Sequence, residues 1–316
     1  MKTILIAAPM FNEETIIADF IDEIGIVVAP LRDRYDFSLL LVNDGSRDGT
    51  ETVLRRLAPQ FPVRVVNFVR NFGHAAACCA CLELASADAV ILMDSDLQDD
   101  PAAIPAFLEQ WEQGYEIVYA VRKDRKESLF KKLCFSLFYR ILRLIAHIDV
   151  PLDSGNFSLM DRKVVEQINA IVERNRYLPG IRAFVGFRQT GVSVARRARH
   201  DNVSRVGFTG LCRLALNAFF SFSYVPIRIF NLFGFLAILF ACGLTIFALY
   251  QKLIVGITLS AWTSQIITTV FFGGINLLGI GIIGEYVARI YDQLKGYPLY
   301  IVRDSFMLGN NDEHLK

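Results

Sequence analysis

The sequence predicts an α/β protein in which a mostly parallel sheet domain precedes an interfacial helix and two transmembrane helices. Short apolar runs alternate with helical patterns over residues 3–121, which is typical of strands joined by crossover helices. Three of the apolar runs end in acidic or amide-rich loops. Residues 229–251 and 264–284 are long, uncharged and apolar, as membrane helices must be.

The strand and helix signals alternate regularly along the first part of the chain. Strands are predicted near residues 3–9, 38–43, 64–68, 89–94 and 116–121, and helices near 13–28, 50–58, 74–86 and 101–113. A dinucleotide-binding domain would show the same alternation. No G-x-G-x-x-G follows the first strand, however, and the chain has no G-x-x-x-x-G-K-[ST] phosphate loop, so that alternative is disfavoured.

The fourth predicted strand ends in two carboxylates, Asp94 and Asp96, with Gln98 shortly after them. Divalent cations that keep several waters and bridge phosphates bind through one or two carboxylates. The oxygen ligands, with no His or Cys nearby in the sequence, favour Mg²⁺ or Mn²⁺ over zinc. A solvated acidic turn explains the motif equally well when it is considered alone.

Two upstream loops have matching chemistry. The first strand opens onto P-x-F-N-E-E at 9–14, and the second ends in N-D-G at 43–45, where Gly45 accepts a positive φ. Asp44 is expected to point out of the sheet edge. Because ligands bind at the carboxyl ends of the strands in open α/β sheets, we expect Asp44, Asp94 and Asp96 to line one crevice.

The order of these motifs resembles a known family. P-x-F-N-E-E at 9–14, V-N-D-G-S-x-D-G-T at 42–50, R-N-F-G-H at 70–74 and D-S-D-L-Q-D at 94–99 are similar to the inverting family 2 glycosyltransferases of GT-A fold. Within that family the chain resembles the polyprenyl-phosphate glycosyltransferases, the group of dolichol-phosphate mannose synthase and bactoprenol glucosyltransferase. G-x-F-x-L-M at 155–160 and the paired apolar helices match this subgroup, and the resemblance covers nearly the whole chain.

The resemblance implies transfer of a sugar from a nucleotide sugar to undecaprenyl phosphate or another polyprenyl phosphate, with UDP-glucose as the favoured donor. N-acetylhexosamine or GDP-mannose is the alternative donor chemistry. It implies that Asp94 and Asp96 act in catalysis and hold the Mg²⁺ or Mn²⁺, with Gln98 as a further ligand. It also implies a set of residues that bind the nucleotide sugar: Pro9, Asn12, Glu14, Asp44, Arg70 and Asp94.

A basic run follows the fifth predicted strand, with Arg122 at its start and Lys131 and Lys132 at the start of an apolar helix. Such a run is usually a solvated face. Beside a carboxylate-lined crevice it is instead interpreted as the clamp for the lipid phosphate, and the resemblance assigns this role to Arg122 and one of the two lysines.

The motif at 153–162 departs from the family pattern, because many relatives carry an acidic residue and an arginine where Asn156 and Ser158 stand. Asn156 therefore occupies the position of a third catalytic carboxylate without being one. A phosphate monoester has its second pKa near about 6, so the acceptor is already largely a dianion at neutral pH. It needs no base, and Asn156 is expected only to orient donor or acceptor, unless Asp153 or Asp161 is a true base.

The membrane prediction depends on uncharged length. No ionisable residue occurs between Arg228 and Lys252 or between Lys252 and Glu285. We predict a catalytic domain at 1–206, an amphipathic juxtamembrane helix at 207–228, spans at 229–251 and 264–284, and a tail with a β-strand at 285–316. Lys and Arg flank both outer ends of the pair, which places both termini in the cytoplasm of a bacterial inner membrane protein. The resemblance implies a homotetramer, and we interpret the tail as a strand that adds to a neighbour's domain, with a frayed tail as the alternative.

Composition agrees with a membrane-attached enzyme. The 316 residues are 53% hydrophobic, with 25 Phe, and the mean hydropathy is +0.37, which is too apolar for an ordinary soluble domain. The net charge of +1 argues against nucleic-acid binding. The six Cys lie in apolar runs without metal-site spacing and are interpreted as reduced. The chain starts with a strand signal, so no signal peptide is expected.

Two other functions are compatible with parts of the sequence. A processive polysaccharide synthase should carry a Q-x-x-R-W motif and more membrane spans, and neither Trp111 nor Trp262 lies in that context. A non-catalytic membrane scaffold or flippase subunit would account for the apolar helices. It would leave Asp44, Asp94 and Asp96 unexplained, so the enzyme is favoured.

Overall fold

The computed structural model describes residues 1–123, 154–171, 178–195, 225–250, 253–254 and 262–309. The chain forms two compact units. One consists of Met1–Arg143, His147–Gly207 and Tyr297–Lys316, and the other of Leu144–Ala146 and Phe208–Gly296.

The described part of the first unit contains a single sheet of eight strands. They are β1 Lys2–Met10, β2 Tyr35–Asn43, β3 Val63–Phe68, β4 Ala89–Leu92, β5 Ile117–Lys123, β6 Ser154–Asp161, β7 Gln189–Ala195 and β8 Val302–Met307. Their order across the sheet is β7-β5-β6-β4-β1-β2-β3-β8. β6 and β8 run antiparallel to their neighbours, and the other pairs are parallel. The predicted mostly parallel sheet and the α/β fold class are therefore confirmed.

Six helices accompany this sheet: α1 Ile17–Val28, α2 Thr50–Leu54, α3 His74–Glu83, α4 Ile104–Glu112, α5 Arg162–Ala170 and α6 Leu178–Phe184. The four helices predicted between the strands are present. The second ends at Leu54 rather than at residue 58. Residue 58 itself is excluded from the helix because it precedes Pro59.

Helices cover both faces of the sheet. Alternate residues of β1 contribute to two separate hydrophobic clusters, with Ile4 and Ile6 in one and Leu5 in the other. The first cluster includes residues of α1, α2 and α4, and the second includes residues of α3, α5 and α6. Burial on both faces explains why the strands are continuous apolar runs in the sequence rather than alternating ones.

Strands β6 and β7 were not predicted from the sequence. β6 lies between β4 and β5, antiparallel to both, and its Phe157 and Leu159 are buried in the core. Glycine, asparagine and serine at residues 154–158 weaken the strand signal there, since these residues favour turns. The consequence for the site is that Asn156 is held on a central strand.

The C-terminal strand is present but differs from expectation in its pairing. β8 begins at Val302, after Pro298, and pairs antiparallel with β3 of its own chain. Addition of this strand to a neighbour's domain stays a prediction, whereas in this structure the strand extends the sheet of its own chain. The physical reason is local complementarity, since Phe306 enters the hydrophobic core and the ring of Tyr300 stacks on Phe68 with centroids 4.8 Å apart.

The described part of the second unit contains two long helices, α7 Val225–Tyr250 and α8 Trp262–Leu294. Within α8, Thr268–Leu294 is long and apolar enough to cross a membrane, and little of it is buried. In α7 the apolar stretch Phe230–Gly243 is shorter than a span. Two spans thus stay a prediction, and most of the proposed juxtamembrane helix at 207–228 lies outside the described residues.

One glycine sets the approach of α7 and α8. A Cβ on Gly279 would lie 2.1 Å from the ring of Phe230, whereas a Cβ on Gly281 would meet nothing within 4 Å. We therefore expect Gly279→Ala to destabilise the helix pair by about 1–3 kcal/mol through overpacking. Gly281→Ala is the matched control and should leave the melting temperature in detergent unchanged. Equal melting temperatures for both variants would contradict this packing.

Candidate active site at the carboxyl edge of the sheet

The carboxyl ends of β3, β2, β1 and β4 lie side by side, because these four strands are adjacent and parallel. Pairing continues one residue beyond the strands. The Asp44 N–H donates to the Met10 carbonyl at 2.9 Å, and the Met93 N–H donates to the Ala7 carbonyl at 3.1 Å. Asp44 and Asp94 therefore leave the sheet on either side of the end of β1. This is the edge where open α/β sheets bind ligands.

The loops after β1 and β2 are bonded to each other. The Asn12 N–H donates to Ser46 Oγ at 2.9 Å, and Asn12 Oδ1 accepts from the Arg47 N–H at 2.9 Å. Glu14 Oε2 accepts from the Gly49 N–H at 2.9 Å. Asn12 and Glu14, predicted to bind the nucleotide, thus fix the shape of the loop pair. Asn12 itself has a φ of 56°, a conformation that asparagine tolerates better than most residues.

The loop after β4 is fastened to the end of β1. Ser95 Oγ donates to the carbonyl of Pro9 at 3.0 Å. Pro9 is buried, so this residue contributes to the site through its backbone and its fixed geometry. The bond positions Asp94 and Asp96, which flank Ser95 in the sequence, against the β1 loop.

Asp44 lies just past the carboxyl edge of the sheet, as expected, but it is almost fully buried, with 2% of its surface exposed. Its Oδ1 accepts from the Phe72 N–H at 2.6 Å and its Oδ2 from the Gly73 N–H at 2.9 Å. Burial raises the pKa of the Asp44 carboxyl, and these two bonds, with His74 and Arg70, oppose that rise. The carboxylate is therefore a clamp on the R-N-F-G-H loop.

Gly45 makes this clamp sterically feasible. Its φ is +65°, as predicted, and a Cβ there would lie 2.4 Å from the Arg70 carbonyl carbon. Arg70 is exposed, with its guanidinium 4.1 Å above the ring of Phe72 and Nη1 donating to the Asn71 carbonyl at 3.1 Å. The guanidinium stays at the surface of the loop, where a charged ligand has access to it.

The acidic loop after β4 has a defined conformation. Asp96 Oδ1 accepts from the Gln98 N–H at 3.1 Å, and Leu97 between them has a φ of 56°. A left-handed leucine is strained and persists only where its surroundings fix it. Gln98 is buried, whereas Asp94 and Asp96 are partly exposed. Asp96 therefore faces solvent from a fixed turn, whereas Oδ1 of Asp94 is buried beside His74.

A histidine that sequence reasoning did not single out lies at the centre of the site. His74, the first residue of α3, has its Nε2 3.6 Å from Asp94 Oδ1 and 3.0 Å from the Asn156 amide nitrogen. Cys78, one turn along the helix, has its Sγ 3.4 Å from the same Nε2. The prediction that no His or Cys lies near these carboxylates is therefore wrong, because His74 and Cys78 are close to them in the folded chain. The i,i+4 spacing of His74 and Cys78 was the available signal.

The donor set fits a hard cation. Within the described ranges, no group of three or more His, Cys, Asp and Glu side chains is arranged to hold a metal ion. Asp94 and Asp96 supply carboxylate oxygens, which suits Mg²⁺ or Mn²⁺ because those ions complete their shells with water and phosphate. Such a cation would neutralise charge on a departing diphosphate.

The predicted acceptor residues are only partly within the described residues. Arg122 lies in β5, where its backbone is in register with Val194, and Lys131 and Lys132 fall outside the described ranges. A cation that the sequence analysis missed is Arg182 of α6. It is buried, donates from Nη1 to the Gly155 carbonyl at 3.2 Å, and lies 5.0 Å from the Tyr119 ring centroid. It therefore supports the backbone next to Asn156.

A concavity of about 460 Å³ lies at the opposite edge of the sheet, where the parallel strands begin. Its charged groups are used internally. Arg162 Nη2 is 3.3 Å from Asp88, and Trp111 Nε1 donates to Asp161 at 2.9 Å. Asp161 also caps α5 by accepting from the Lys163 N–H. We therefore assign this concavity no role in binding. Asp161, the alternative catalytic base, lies here and not at the carboxyl edge of the sheet.

Comparison with known proteins agrees with this geometry. The model of the family described as glycosyl transferase family 2 matches residues 5–168. An uncharacterized glycosyltransferase, YkcC of Bacillus subtilis, is 37% identical over 98% of this chain and 97% of its own. Bactoprenol glucosyl transferase of Shigella phage SfII is 34% identical over 96% of this chain and 98% of its own.

A solved structure with related architecture is glucosyl-3-phosphoglycerate synthase from Mycobacterium tuberculosis in complex with Mg²⁺ and uridine diphosphate. It is 21% identical, with a TM-score of 0.45, over 69% of this chain and 79% of that chain.

Proposed function

The chain belongs to glycosyl transferase family 2, and we propose that it transfers glucose from UDP-glucose to undecaprenyl or another polyprenyl phosphate with inversion. The observation that carries the proposal is the 34% identity to bactoprenol glucosyl transferase over 96% of this chain. That likeness extends past the family domain, which ends at residue 168, into the apolar C-terminal helices. The acceptor is accordingly a lipid phosphate, used at the cytoplasmic face of the membrane.

The donor end of the proposed reaction is the edge formed by the loops after β1, β2 and β4. Pro9, Asn12, Glu14, Asp44 and Arg70 shape or line the nucleotide pocket. Asp94 and Asp96, with Gln98 as a further ligand, would hold the Mg²⁺ or Mn²⁺. When bound, the cation supplies electrostatic stabilisation of the leaving group. The chain's own contribution is a turn in which the Gln98 N–H fixes the orientation of Asp96.

The acceptor end requires no base. A phosphate monoester is largely a dianion at neutral pH, and its oxygen attacks the anomeric carbon in line with the departing nucleotide. An α-linked donor then gives a β-linked product. Arg122 and one of Lys131 and Lys132 bind the lipid phosphate in this proposal. Asn156, bonded to His74, orients the reactants rather than accepting a proton.

The role of Asn156 has a measurable consequence. We expect Asn156→Ala to lower kcat by only about tenfold, the scale of one lost hydrogen bond. A catalytic base would cost far more on removal. Transfer rates of wild type and variant are compared across pH 5–9 with undecaprenyl phosphate. A collapse of the rate in Asp153→Asn, with a pH profile that requires one deprotonated group besides the phosphate, would contradict this interpretation.

The activity itself is tested with membranes that contain the protein, undecaprenyl phosphate and a panel of labelled UDP- and GDP-sugars. We expect a single-sugar lipid product from UDP-glucose, with a β linkage by NMR, and no product after EDTA treatment. A growing polymer would identify a processive synthase. Incorporation from UDP-N-acetylhexosamine or GDP-mannose would identify that nucleotide sugar, and not UDP-glucose, as the donor. No incorporation from any donor would favour a non-catalytic membrane subunit.

A further inference from the structure

A row of polar side chains crosses three strands of the sheet beside the donor loops. Asn43 ends β2, Asn67 is its register partner on β3, and Asp304 is the register partner of Asn67 on β8. Asn43 Nδ2 donates to Asn67 Oδ1 at 2.9 Å, and Asn67 Nδ2 donates to Asp304 Oδ1 at 2.6 Å. Both asparagines are buried. A buried amide pair is retained only where its hydrogen bonds are made.

The carboxylate at the end of this row determines the direction of every bond in it. An ionised Asp304 only accepts, so Asn67 must turn its NH₂ group to it and its oxygen to Asn43. Asn43 must then present its NH₂ group to Asn67 and its oxygen to the β2 loop. Burial opposes ionisation of Asp304, but the bonds from Arg303 and Asn67 lower its pKa, so it is a carboxylate at neutral pH.

The row reaches the donor loops through Ser46. Asn43 Oδ1 accepts from the Ser46 N–H at 3.0 Å and from Ser46 Oγ at 2.6 Å. Ser46 Oγ has then used its hydrogen, and its lone pair accepts from the Asn12 N–H at 2.9 Å. All donors along this path, from Asn12 to Asp304, point the same way. Hydrogen bonds aligned in this manner strengthen one another.

Strand β8 is held firmly enough to act as the fixed end of the row. Arg303 Nη2 pairs with Glu51 Oε2 at 2.5 Å, in the first turn of α2. The Tyr300 hydroxyl donates to Glu83 Oε2 of α3 at 2.8 Å, and Phe306 is buried. Asp304 is thus placed by contacts that do not involve the row itself.

We propose that Asp304 is a positioning residue for the nucleotide-sugar loops, acting through Asn67, Asn43 and Ser46 to fix the backbone of Asn12. The strand that follows α8 is therefore part of the donor site's support, although it touches none of the predicted donor residues. This inference rests on the proposed function for the identity of the ligand. The hydrogen-bond path itself can be tested without any ligand.

The first test is hydrogen–deuterium exchange of the full-length protein in detergent. Asp304→Ala removes the terminal acceptor, and Val302→Ala, an exposed change on the same strand, is the matched control. We expect amide exchange of Asn12 and Ser46 to accelerate about tenfold in Asp304→Ala, the scale of one lost hydrogen bond to a charged group. In Asp304→Asn the amide oxygen can still accept from Asn67, and the NH₂ group would face only Arg303, whose exposed side chain can turn away, so most of the protection should be restored. Equal exchange in Asp304→Ala and Val302→Ala would overturn the proposal.

The second test is the affinity for UDP, with the KM for each substrate measured in parallel. Asp304→Ala should weaken UDP binding and raise the donor KM about tenfold, with the lipid-phosphate KM within about twofold of wild type. Ser46→Ala should reproduce this effect. Because both substitutions interrupt the same hydrogen-bond path, the double variant should change the donor KM by less than the product of the two single fold-changes. If the double variant instead raises the donor KM by the product of the two single changes, the proposed coupling is overturned. If Asp304→Ala does not fold, the same comparison is made with Ser46→Ala and Asp304→Asn. Wild-type protein that binds no UDP, with the exchange result intact, would refute the donor assignment alone.

Discussion

Asp96→Asn is expected to lower glucosyl transfer by about 10²–10⁴-fold, the scale of several kcal/mol of transition-state stabilisation that metal catalysis supplies. The change removes one of the two carboxylates proposed to hold the cation and leaves its bond from the Gln98 N–H available to the amide oxygen. The loop should therefore keep its shape while its affinity for a divalent cation falls. Initial rates at saturating UDP-glucose and undecaprenyl phosphate, over a series of Mg²⁺ and Mn²⁺ concentrations, measure the loss.

The matched control is Asp36→Asn, which makes the same chemical change at an exposed position near the start of β2, away from the site. Its rate should equal that of wild type. EDTA should abolish transfer by wild type, and Mg²⁺ or Mn²⁺ should restore it. Full activity of Asp96→Asn, or of the wild type in EDTA, would show that Asp96 does not hold a catalytic cation.

The sheet could be predicted because its central strands are buried on both faces. Apolar runs such as residues 89–93 have few alternatives to a central strand when helical patterns lie on either side. β6 escaped prediction because residues 154–158 contain glycine, asparagine and serine, and its burial between β4 and β5 overrides that local preference. β8 was recognised as a strand, but its partner is decided by side-chain contacts more than 200 residues apart in sequence, such as that of Asn67 with Asp304.

The site could be predicted to the level of its loops and not of its contacts. The rule that parallel strands end at one edge correctly brought the loops carrying Asp44 and Asp94 to that edge. Whether a loop carboxylate faces solvent or accepts from a neighbouring backbone depends on the path of a third loop. For Asp44 that third loop is the R-N-F-G-H segment, which also brings His74 next to Asp94.

Asp44→Asn is expected to have the second-largest effect, because this carboxylate is buried and both of its oxygens are used. An amide can accept from only one of the Phe72 and Gly73 N–H groups, and its own NH₂ group would face the other. A buried donor left unsatisfied costs about 1–3 kcal/mol, and two donors facing each other cannot relax without moving the loop. We expect a loss of about 2 kcal/mol in unfolding free energy, consistent with that cost.

The same change should lower transfer by about 100-fold or more, on the scale of the 2–3 kcal/mol that misplacing groups at an active site costs. The loop that Asp44 clamps begins α3 and carries His74, which contacts both Asn156 and Asp94. UDP affinity, transfer rate and melting temperature are measured together, with Asp36→Asn as the control for loss of one carboxylate. Wild-type activity in Asp44→Asn would show that the two bonds between Asp44 and the R-N-F-G-H loop are not needed for transfer.

The titration of Asp44 gives an independent check of its burial. Its folded-state pKa is raised above the ordinary value of 3.8, so the folded protein binds this proton more tightly than the unfolded chain does. The group's contribution to stability is therefore present in full below that value and is lost as the pH rises through the folded-state pKa. Asp44→Asn lacks this titration. The difference in unfolding free energy between wild type and variant should grow as the pH is lowered from 7 towards 4. A difference that shrinks would mean that the bonds from Phe72 and Gly73 outweigh burial, and a constant difference would mean that Asp44 is solvated.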